Sequence, residues 1–294
     1  MLHKETVVQE ILDLVKELQK NPLLDGFYLA GGTSLALQLG HRTSTDIDLF
    51  SFKEDKFYEL NGFFSKNPER YDVTKSDKGF LRLFVNGIKI ELIYDDSGKL
   101  LCDPIKKNGI ICLSVKDVAP MKLKAAVNRN KGRDYVDLAY LLKDFSLREL
   151  FDLYRQKYGN VNLNIIKREL LTKVHNIKED EWLVGIKLLK NDINVKDIPL
   201  IIKNAVMEYN KSEDIGKKNT MGLKDNEGNP ITVCDKELFS DKKNISKLIC
   251  KDINNNTLYV LQYIENKKLV SHFFKNDFNK MDAEKYMLKI NKLT

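Results

Sequence analysis

Two aspartates one residue apart, Asp46 and Asp48, are the side chains of this 294-residue sequence best suited to binding a metal ion. Residues 46–50 alternate acid and hydrophobe, the period of a β-strand with one buried face, so both carboxylates should point the same way. Their Cα atoms would lie about 7 Å apart, because each residue of a strand rises roughly 3.4 Å. Carboxylates at this separation can converge on one or two divalent cations. The pair therefore predicts a metal site.

A paired glycine, Gly31-Gly32, precedes the aspartates and follows the apolar residues 27–30. We expect those residues to form a short buried strand, the glycines to form a turn, and Thr33 to be the N-cap of a helix that ends at Leu39. Glycine lets the backbone approach a ligand closely, and a helix N-terminus offers free N–H groups and positive partial charge. This arrangement suits a bound triphosphate.

The order of these residues resembles the signature of the polymerase β-type nucleotidyltransferases: a hydrophobe, Gly31-Gly32, thirteen residues, then Asp46, Ile47 and Asp48. The fuller string is similar to the AbiEii/AbiGii nucleotidyltransferases, and it is GGTSLALQLGHRTSTDIDLF. Members of that family are the toxin halves of bacterial toxin–antitoxin systems and of phage-defence (abortive infection) systems. The resemblance covers residues 1–212 and then ends.

The resemblance implies a set of functional residues. In the family the glycine pair binds the phosphates of an NTP and the acidic pair holds magnesium, with two Mg²⁺ ions expected. Carried over, the catalytic residues are Asp46, Asp48, Glu91, Lys122, Asp134 and Asp137, and the metal ligands among them are Asp46, Asp48 and Glu91. The nucleotide-binding residues are Gly31, Gly32, Thr33, Arg42, Ser44, Lys122 and Arg129.

Glu91 is a candidate for the third carboxylate, which polymerase β-like enzymes take from a neighbouring strand. Two segments with strand character flank Asn86-Gly87, the dipeptide that favours a tight type I′ turn, and predict a β-hairpin. Hydrophobes alternate with polar residues on its second strand, so Glu91 stands on the face opposite the core. The alternative is an ordinary exposed acid paired with Lys89 or Lys99.

A second pattern lies further along the chain, Lys-x-x-Ala followed by Arg and Asp-x-x-Asp, and it also resembles the AbiEii family. By that resemblance Lys122 would bind the nucleotide phosphates, and Asp134 or Asp137 would be the acid of the late motif. Since Asp134 and Asp137 share one face of a predicted helix, they could equally be ion-paired with Arg129 or Arg133.

The elements that must position these residues follow from hydrophobic periodicity and capping signals. Helices are predicted over residues 6–20, 53–66, 162–175, 179–190 and 198–209, with two more opening at Ser114 and Ser146. Short strands and a final helix, residues 282–290, are predicted after residue 230. The predicted domains are a nucleotidyltransferase core (1–143), a helical bundle (144–215), a linker (216–230) and a small β-rich appendage (231–294).

Composition sets broad limits. The sequence is 43% hydrophobic and 31% charged, and no apolar run approaches the roughly 18 residues of a membrane span, so we expect a cytoplasmic protein without a membrane partner. The four cysteines are widely spaced and are expected to be reduced, buried thiols. A net charge of +7 is compatible with an RNA partner but does not require one.

These observations predict an α+β fold: a polymerase β-like core of a small mixed sheet with flanking helices, a helical bundle and a C-terminal antiparallel β appendage. The expected activity is magnesium-dependent transfer of NMP from an NTP to an acceptor hydroxyl. By resemblance the acceptor is the tRNA 3′ end and a cognate antitoxin exists. Two alternatives remain: a small-molecule, antibiotic-type nucleotidyltransferase, and a non-catalytic nucleotide- or RNA-binding module on the same fold.

Overall fold

The computed structural model describes residues 2–52, 57–97, 99–220, 232–240, 245–251, 257–265 and 268–274. The chain divides into two compact units, Met1–Tyr209 and Asn210–Thr294. No helix among the described residues is both long enough and apolar enough to cross a membrane. Cys102 and Cys112 are free thiols, as expected, whereas the side chains of Cys234 and Cys250 lie outside the described ones.

The first unit is built on a mixed sheet of seven strands with flanking helices, which confirms the predicted α+β class. The strands are β1 (Tyr28–Leu29), β2 (Ile47–Ser51), β3 (Asp72–Asp77), β4 (Phe80–Val85), β5 (Ile88–Tyr94), β6 (Ile105–Lys107) and β7 (Ile110–Cys112). Their order is β3-β4-β5-β2-β1-β7-β6, with the β2–β5 and β1–β7 pairs parallel and the others antiparallel. The strand that carries Asp48 is therefore central in the sheet.

The helices are α1 (Gln9–Leu18), α2 (Gly31–Leu39), α3 (Phe57–Ser65), α4 (Val115–Asn128), α5 (Gly132–Asp144), α6 (Leu147–Tyr158), α7 (Leu163–His175) and α8 (Ile198–Thr220). Ser114 and Ser146 are N-caps, and Ser146 forms a full capping box with Glu149, as predicted. The first four residues of the predicted helix 53–66 lie outside the described ones.

Two apolar cores hold these elements together. One core packs α1 and α3 against one face of the sheet, where Ile47, Leu49, Ile90 and Leu92 are fully buried. The other core joins α2 to the helices from α4 onward, so the predicted nucleotidyltransferase core and helical bundle share one compact unit. Because strand side chains alternate, the opposite face of β2 and β5 is left for polar residues.

Three local predictions are wrong. Thr33 is not the N-cap of α2, because the helix begins earlier, at Gly31, with Ala30 as N-cap. The predicted helix over residues 179–190 is a single 3-10 turn, Glu179–Glu181, followed by irregular chain in which Gly185 has φ 72°. The predicted linker starts too early, since α8 continues to Thr220.

The second unit contains a four-stranded antiparallel sheet with the order β11-β10-β9-β8. Its strands are β8 (Thr232–Ser240), β9 (Ile245–Lys251), β10 (Thr257–Glu265) and β11 (Lys268–Phe274). All four correspond to predicted strands, and β8 is longer than expected. The predicted helix over residues 282–290 lies outside the described residues.

Candidate active site

The parallel pairing of β2 with β5 brings two predicted acids side by side. Asp48 lies directly opposite Glu91 in the register, and Ile47 lies opposite Ile90. The neighbours of Asp48 along β2 are buried in the core while Asp48 itself is partly exposed, so the strand has the alternation that the sequence predicts. A carboxylate from each strand therefore meets on the polar face of the sheet.

The glycine turn lies against the same carboxylate. Gly31 has φ 61°, and a Cβ at this position would lie 2.1 Å from Asp48 Oδ2. The N–H of Ala30 donates to the carbonyl of Asp48 at 2.8 Å. Because α2 begins at Gly31, the N–H groups of its first residues have no intrahelical acceptor, and such groups can bind an anion at a helix N-terminus. The turn and the metal strand thus form one continuous site.

Three side chains predicted to contact phosphate lie beneath this turn. Thr33 Oγ1 donates to the carbonyl of Asp46 and accepts from Ser44 Oγ at 2.8 Å. A Cβ at Gly32 would lie 2.5 Å from Nη2 of Arg42. Thr33, Arg42 and Ser44 are all buried, so as they stand their side chains support the turn from below and do not face a ligand. Any phosphate contact made by this turn falls to its backbone N–H groups.

Lys122 connects the late-motif acids to the site. Its Nζ lies 2.7 Å from Asp137 Oδ2 and 3.3 Å from Asp134 Oδ1. Arg42 makes a two-pronged contact with Asp137, through Nε at 2.6 Å and Nη2 at 2.8 Å. Arg129 contacts Asp134 in the same way, at 2.7 and 3.1 Å. The two aspartates are therefore the centre of a buried charge network.

The network sets the charge of its acids. Burial alone would raise the pKa of Asp137, but Arg42, Lys122 and the hydrogen bond from His41 Nε2 hold it well below its usual range. The pKa of Asp134 is also lowered, because Lys122 and Arg129 outweigh its burial. Both acids are fully buried, which matches the ion-paired alternative, though the partners include Lys122 and Arg42 as well as Arg129.

A cavity of about 310 Å³ opens between the sheet and α4. Gly31, Asp48 and Glu91 line one part of it, next to Lys122 and Arg129. Its remaining wall contains apolar and aromatic side chains together with two acids: Phe50, Met121, Tyr158, Asp95 and Asp96. The cavity therefore combines carboxylates, cations and an apolar surface.

The carboxylates of this cavity suit a divalent cation. Burial raises the pKa of Asp48 to about 6, and the neighbouring negative charge of Glu91 adds to the rise. Carboxylate oxygens are ligands that Mg²⁺ prefers, and a bound cation would relieve the repulsion between the two negative charges. Asp46, however, is directed to Lys89 at 3.0 Å and Arg133 at 3.5 Å. Within the described part of the chain no group of three His, Cys, Asp or Glu side chains is placed to hold one metal, and the two predicted ligands that the strand register brings side by side are Asp48 and Glu91.

Sequence reasoning named Lys89 as a partner of Glu91 in the alternative interpretation, but it missed Arg82. Arg82 contacts Glu91 Oε1 at 2.7 Å from β4, and Lys89 reaches the same oxygen at 3.6 Å. The Asn86-Gly87 turn carries a signal for both, because a two-residue turn fixes the register that places Arg82 opposite Glu91, and strand alternation places Lys89 beside it.

The predictions from sequence also missed a strand-like contact that residues 186–190 make with the loop before Asp46. The N–H of Thr43 donates to the carbonyl of Lys187 at 2.8 Å, and the N–H of Leu189 donates to that of His41 at 2.9 Å. Since this segment bonds to the loop between the glycines and the aspartates, it cannot also form the predicted helix. The irregular segment therefore fixes the loop from outside.

Three comparisons relate the chain to known proteins. A family model described as "Nucleotidyl transferase AbiEii toxin, Type IV TA system" matches residues 13–194. An uncharacterized protein of Aquifex aeolicus (strain VF5) is 33% identical over 156 residues, which are 51% of this chain and 74% of that protein. The structure of the MenT4 nucleotidyltransferase toxin from Mycobacterium tuberculosis H37Rv aligns with a TM-score of 0.38 and 13% identity, over 67% of this chain and 80% of that one. A structural likeness this weak adds nothing to the argument.

Proposed function

Because this chain belongs to the AbiEii family of nucleotidyltransferase toxins, we propose that it transfers NMP from an NTP to an RNA hydroxyl and releases pyrophosphate. A nucleotide substrate and a cognate antitoxin follow from membership in a type IV toxin–antitoxin family. The observation that carries the proposed chemistry is the pairing of Asp48 with Glu91 next to the Gly31 turn, in one cavity with Lys122.

The triphosphate would bind at the N-terminus of α2. Backbone N–H groups at a helix start attract anions, and the Gly31-Gly32 turn has no side chain to keep a phosphate away. The charge network adds positive charge, since three cations, Arg42, Lys122 and Arg129, are ion-paired with two carboxylates, Asp134 and Asp137, among the described residues. Fixed positive charge near the leaving pyrophosphate stabilises the charge that develops there in the transition state.

Asp48 and Glu91 would hold magnesium. When bound, the ion would polarise the α-phosphate and neutralise charge on the attacking and leaving oxygens. The acceptor oxygen would form a bond to the α-phosphorus while the bond to the β-phosphate breaks, and the acceptor proton would pass to a carboxylate of the site. Asp48 and Glu91 both line the cavity, within reach of a substrate bound in it.

A basic rim supports an RNA acceptor, with the tRNA 3′ end as the specific proposal. Arg129 and Lys131 lie between α4 and α5, Arg133 lies in the first turn of α5, and Lys89 shares Asp46 with Arg133. Burial lowers the pKa of Lys131, and the charges of Arg133, Arg129 and Lys89 lower it further, which reflects how closely these cations crowd. Crowded cations favour a polyanion such as an RNA backbone and would repel a polycationic antibiotic. A non-catalytic module would be expected to lack a metal acid, whereas Asp46, Asp48 and Glu91 are all present.

Labelling would test the acceptor directly. The protein would be incubated with magnesium and each α-labelled NTP in turn, once with bacterial tRNA and once with tRNA whose 3′ diol has been oxidised by periodate. We expect label in intact tRNA from one or a few NTPs, and none in oxidised tRNA. Equal label in both preparations would show that the 3′ end is not the acceptor. No label in RNA with any NTP would reject an RNA acceptor.

A further inference from the structure

Four side chains form a square on the polar face of β2 and β5. Asp48 lies opposite Glu91 in the register, so the preceding pair on the same face is Asp46 and Lys89. Lys89 Nζ is 3.0 Å from Asp46 Oδ2 and 3.6 Å from Glu91 Oε1. Three corners of the square are therefore acids, and the fourth is an ammonium group that bridges two of them.

The three carboxylates differ in how many cations they are paired with. Asp46 Oδ2 is ion-paired with Lys89 Nζ at 3.0 Å and with Arg133 Nη1 at 3.5 Å. Arg82 holds Glu91 Oε1 at 2.7 Å, which leaves the other oxygen of Glu91 available. Asp48 has no ion-pair partner among the described residues, whereas Glu91 Oε1 is paired with Arg82 and Lys89. The carboxylate without a paired cation is thus Asp48, and Glu91 lies opposite it in the register.

We propose that Lys89 occupies the place of a second cation beside Asp46, so that the nucleotide-free protein binds one divalent cation, on Asp48 and Glu91. An ammonium group and a divalent cation on the same carboxylate oxygen would repel each other strongly at this separation. Lysine has a flexible stem, so its ammonium can leave Asp46 when a triphosphate brings a second ion. The inference rests on the proposed nucleotidyltransferase function and refines the expected count of two ions.

Manganese binding measures this count without relying on activity. The EPR signal of free Mn²⁺ would be followed as Mn²⁺ is added to the full-length protein, with and without a non-hydrolysable NTP analogue. We expect one saturable site per chain without nucleotide and two with it. Asp48→Asn should remove the single site.

Substitutions at Lys89 give the discriminating result. Lys89→Met should show a second Mn²⁺ site without nucleotide, at least about tenfold tighter than in the parent, which corresponds to about 1.4 kcal/mol. Lys89→Arg keeps the charge and should still bind one ion. Lys75→Met removes an exposed lysine that pairs with Asp77 on β3 of the same sheet, and should behave as the parent.

Two outcomes would overturn the inference: a nucleotide-free parent that binds any number of ions other than one, or a Lys89→Met protein that gains no second site. If Lys89→Met does not fold, Lys89→Gln replaces it in the same titration, with the same expected second site. A parent that transfers label to RNA but binds two ions without nucleotide would reject this inference and leave the proposed function intact. A parent that binds one ion but transfers no nucleotide would reject the proposed function and leave the inference about Lys89 intact.

Discussion

Replacing Asp137 with asparagine should destabilise the first unit severely. Asp137 is fully buried, accepts hydrogen bonds from Arg42 Nε and Nη2 at 2.6 and 2.8 Å, and is ion-paired with Lys122 Nζ at 2.7 Å. His41 Nε2 provides a fourth contact at 2.8 Å. Asparagine keeps the shape of aspartate but not its charge. Among the described residues, the buried Arg42 guanidinium would lose its one ion-pair partner and the Lys122 ammonium would lose one of its two. Removing one partner of a buried ion pair costs about 3–5 kcal/mol, and we expect a loss in that range.

Urea unfolding followed by tryptophan fluorescence measures this loss. The chain has one tryptophan, Trp182, and it is buried in the first unit next to Gly132. For a slope of about 2 kcal/mol per M, a loss of about 4 kcal/mol lowers the urea midpoint by about 2 M. Asp13→Asn, which removes an exposed acid on α1 that pairs with Lys16, should leave the midpoint unchanged.

The difference in the free energy of unfolding between the parent and Asp137→Asn depends on pH, and the lowered pKa of Asp137 gives the sign of this dependence. The folded pKa of Asp137 lies well below its unfolded value, so its charge stabilises the fold above the unfolded pKa, about 3.9. This contribution is lost as the pH falls through the folded pKa. The gap between parent and Asp137→Asn should therefore be full at pH 7 and shrink below about pH 4. A gap of less than 1 kcal/mol at pH 7, or one that grows on acidification, would refute the assignment of Asp137 as the charged anchor of Arg42 and Lys122.

Two further predictions concern the site. Gly31→Ala should lower turnover by about 100-fold or more, because the new Cβ would collide with Asp48 and because L-residues rarely adopt a φ of 61°. In the control Gly62→Ala the Cβ would meet nothing within 4 Å, so turnover should be unchanged. Steady-state rates of labelling compare the two variants. Lys122→Met should lower kcat by about 10²–10³-fold. The fold should be retained, because Asp134 is still ion-paired with Arg129 and Asp137 with Arg42. Lys116→Met, on the exposed face of α4, should match the parent. A Lys122→Met protein with parental kcat, or a Gly31→Ala protein with parental turnover, would contradict the placement of the phosphates.

The parts of the site that the sequence predicts are those fixed by local chemistry. Alternation along residues 46–50 placed Asp48 on the polar face of its strand, and the Asn86-Gly87 turn placed Glu91 on the strand beside it. The Ser146-x-x-Glu149 spacing likewise predicts the capping box at the start of α6. In each case the determining residues lie within a few positions of one another, so the pattern itself contains the geometry.

The parts that the sequence does not predict depend on partners distant in the chain. Arg42 and Asp137 are 95 residues apart, and no spacing rule links them. Thr33 has the residue type of an N-cap, but its hydroxyl is used by the carbonyl of Asp46 and by Ser44. Residues 179–190 have apolar residues at helical spacing, yet backbone bonds to Thr43 and His41 outweigh that local preference. Tertiary hydrogen bonding overrides propensity at each of these points.

A comparison of labelling rates tests whether nucleotide transfer occurs at Asp48 and Glu91. The initial rate of α-label incorporation into tRNA would be measured for the parent, for Asp48→Asn, and for Asp77→Asn, which removes an exposed acid on β3. Loss of a metal-binding carboxylate should lower the rate by about 10³-fold or more, or about 4 kcal/mol, while Asp77→Asn keeps the parental rate. An Asp48→Asn protein that folds and labels tRNA at the parental rate would contradict the account.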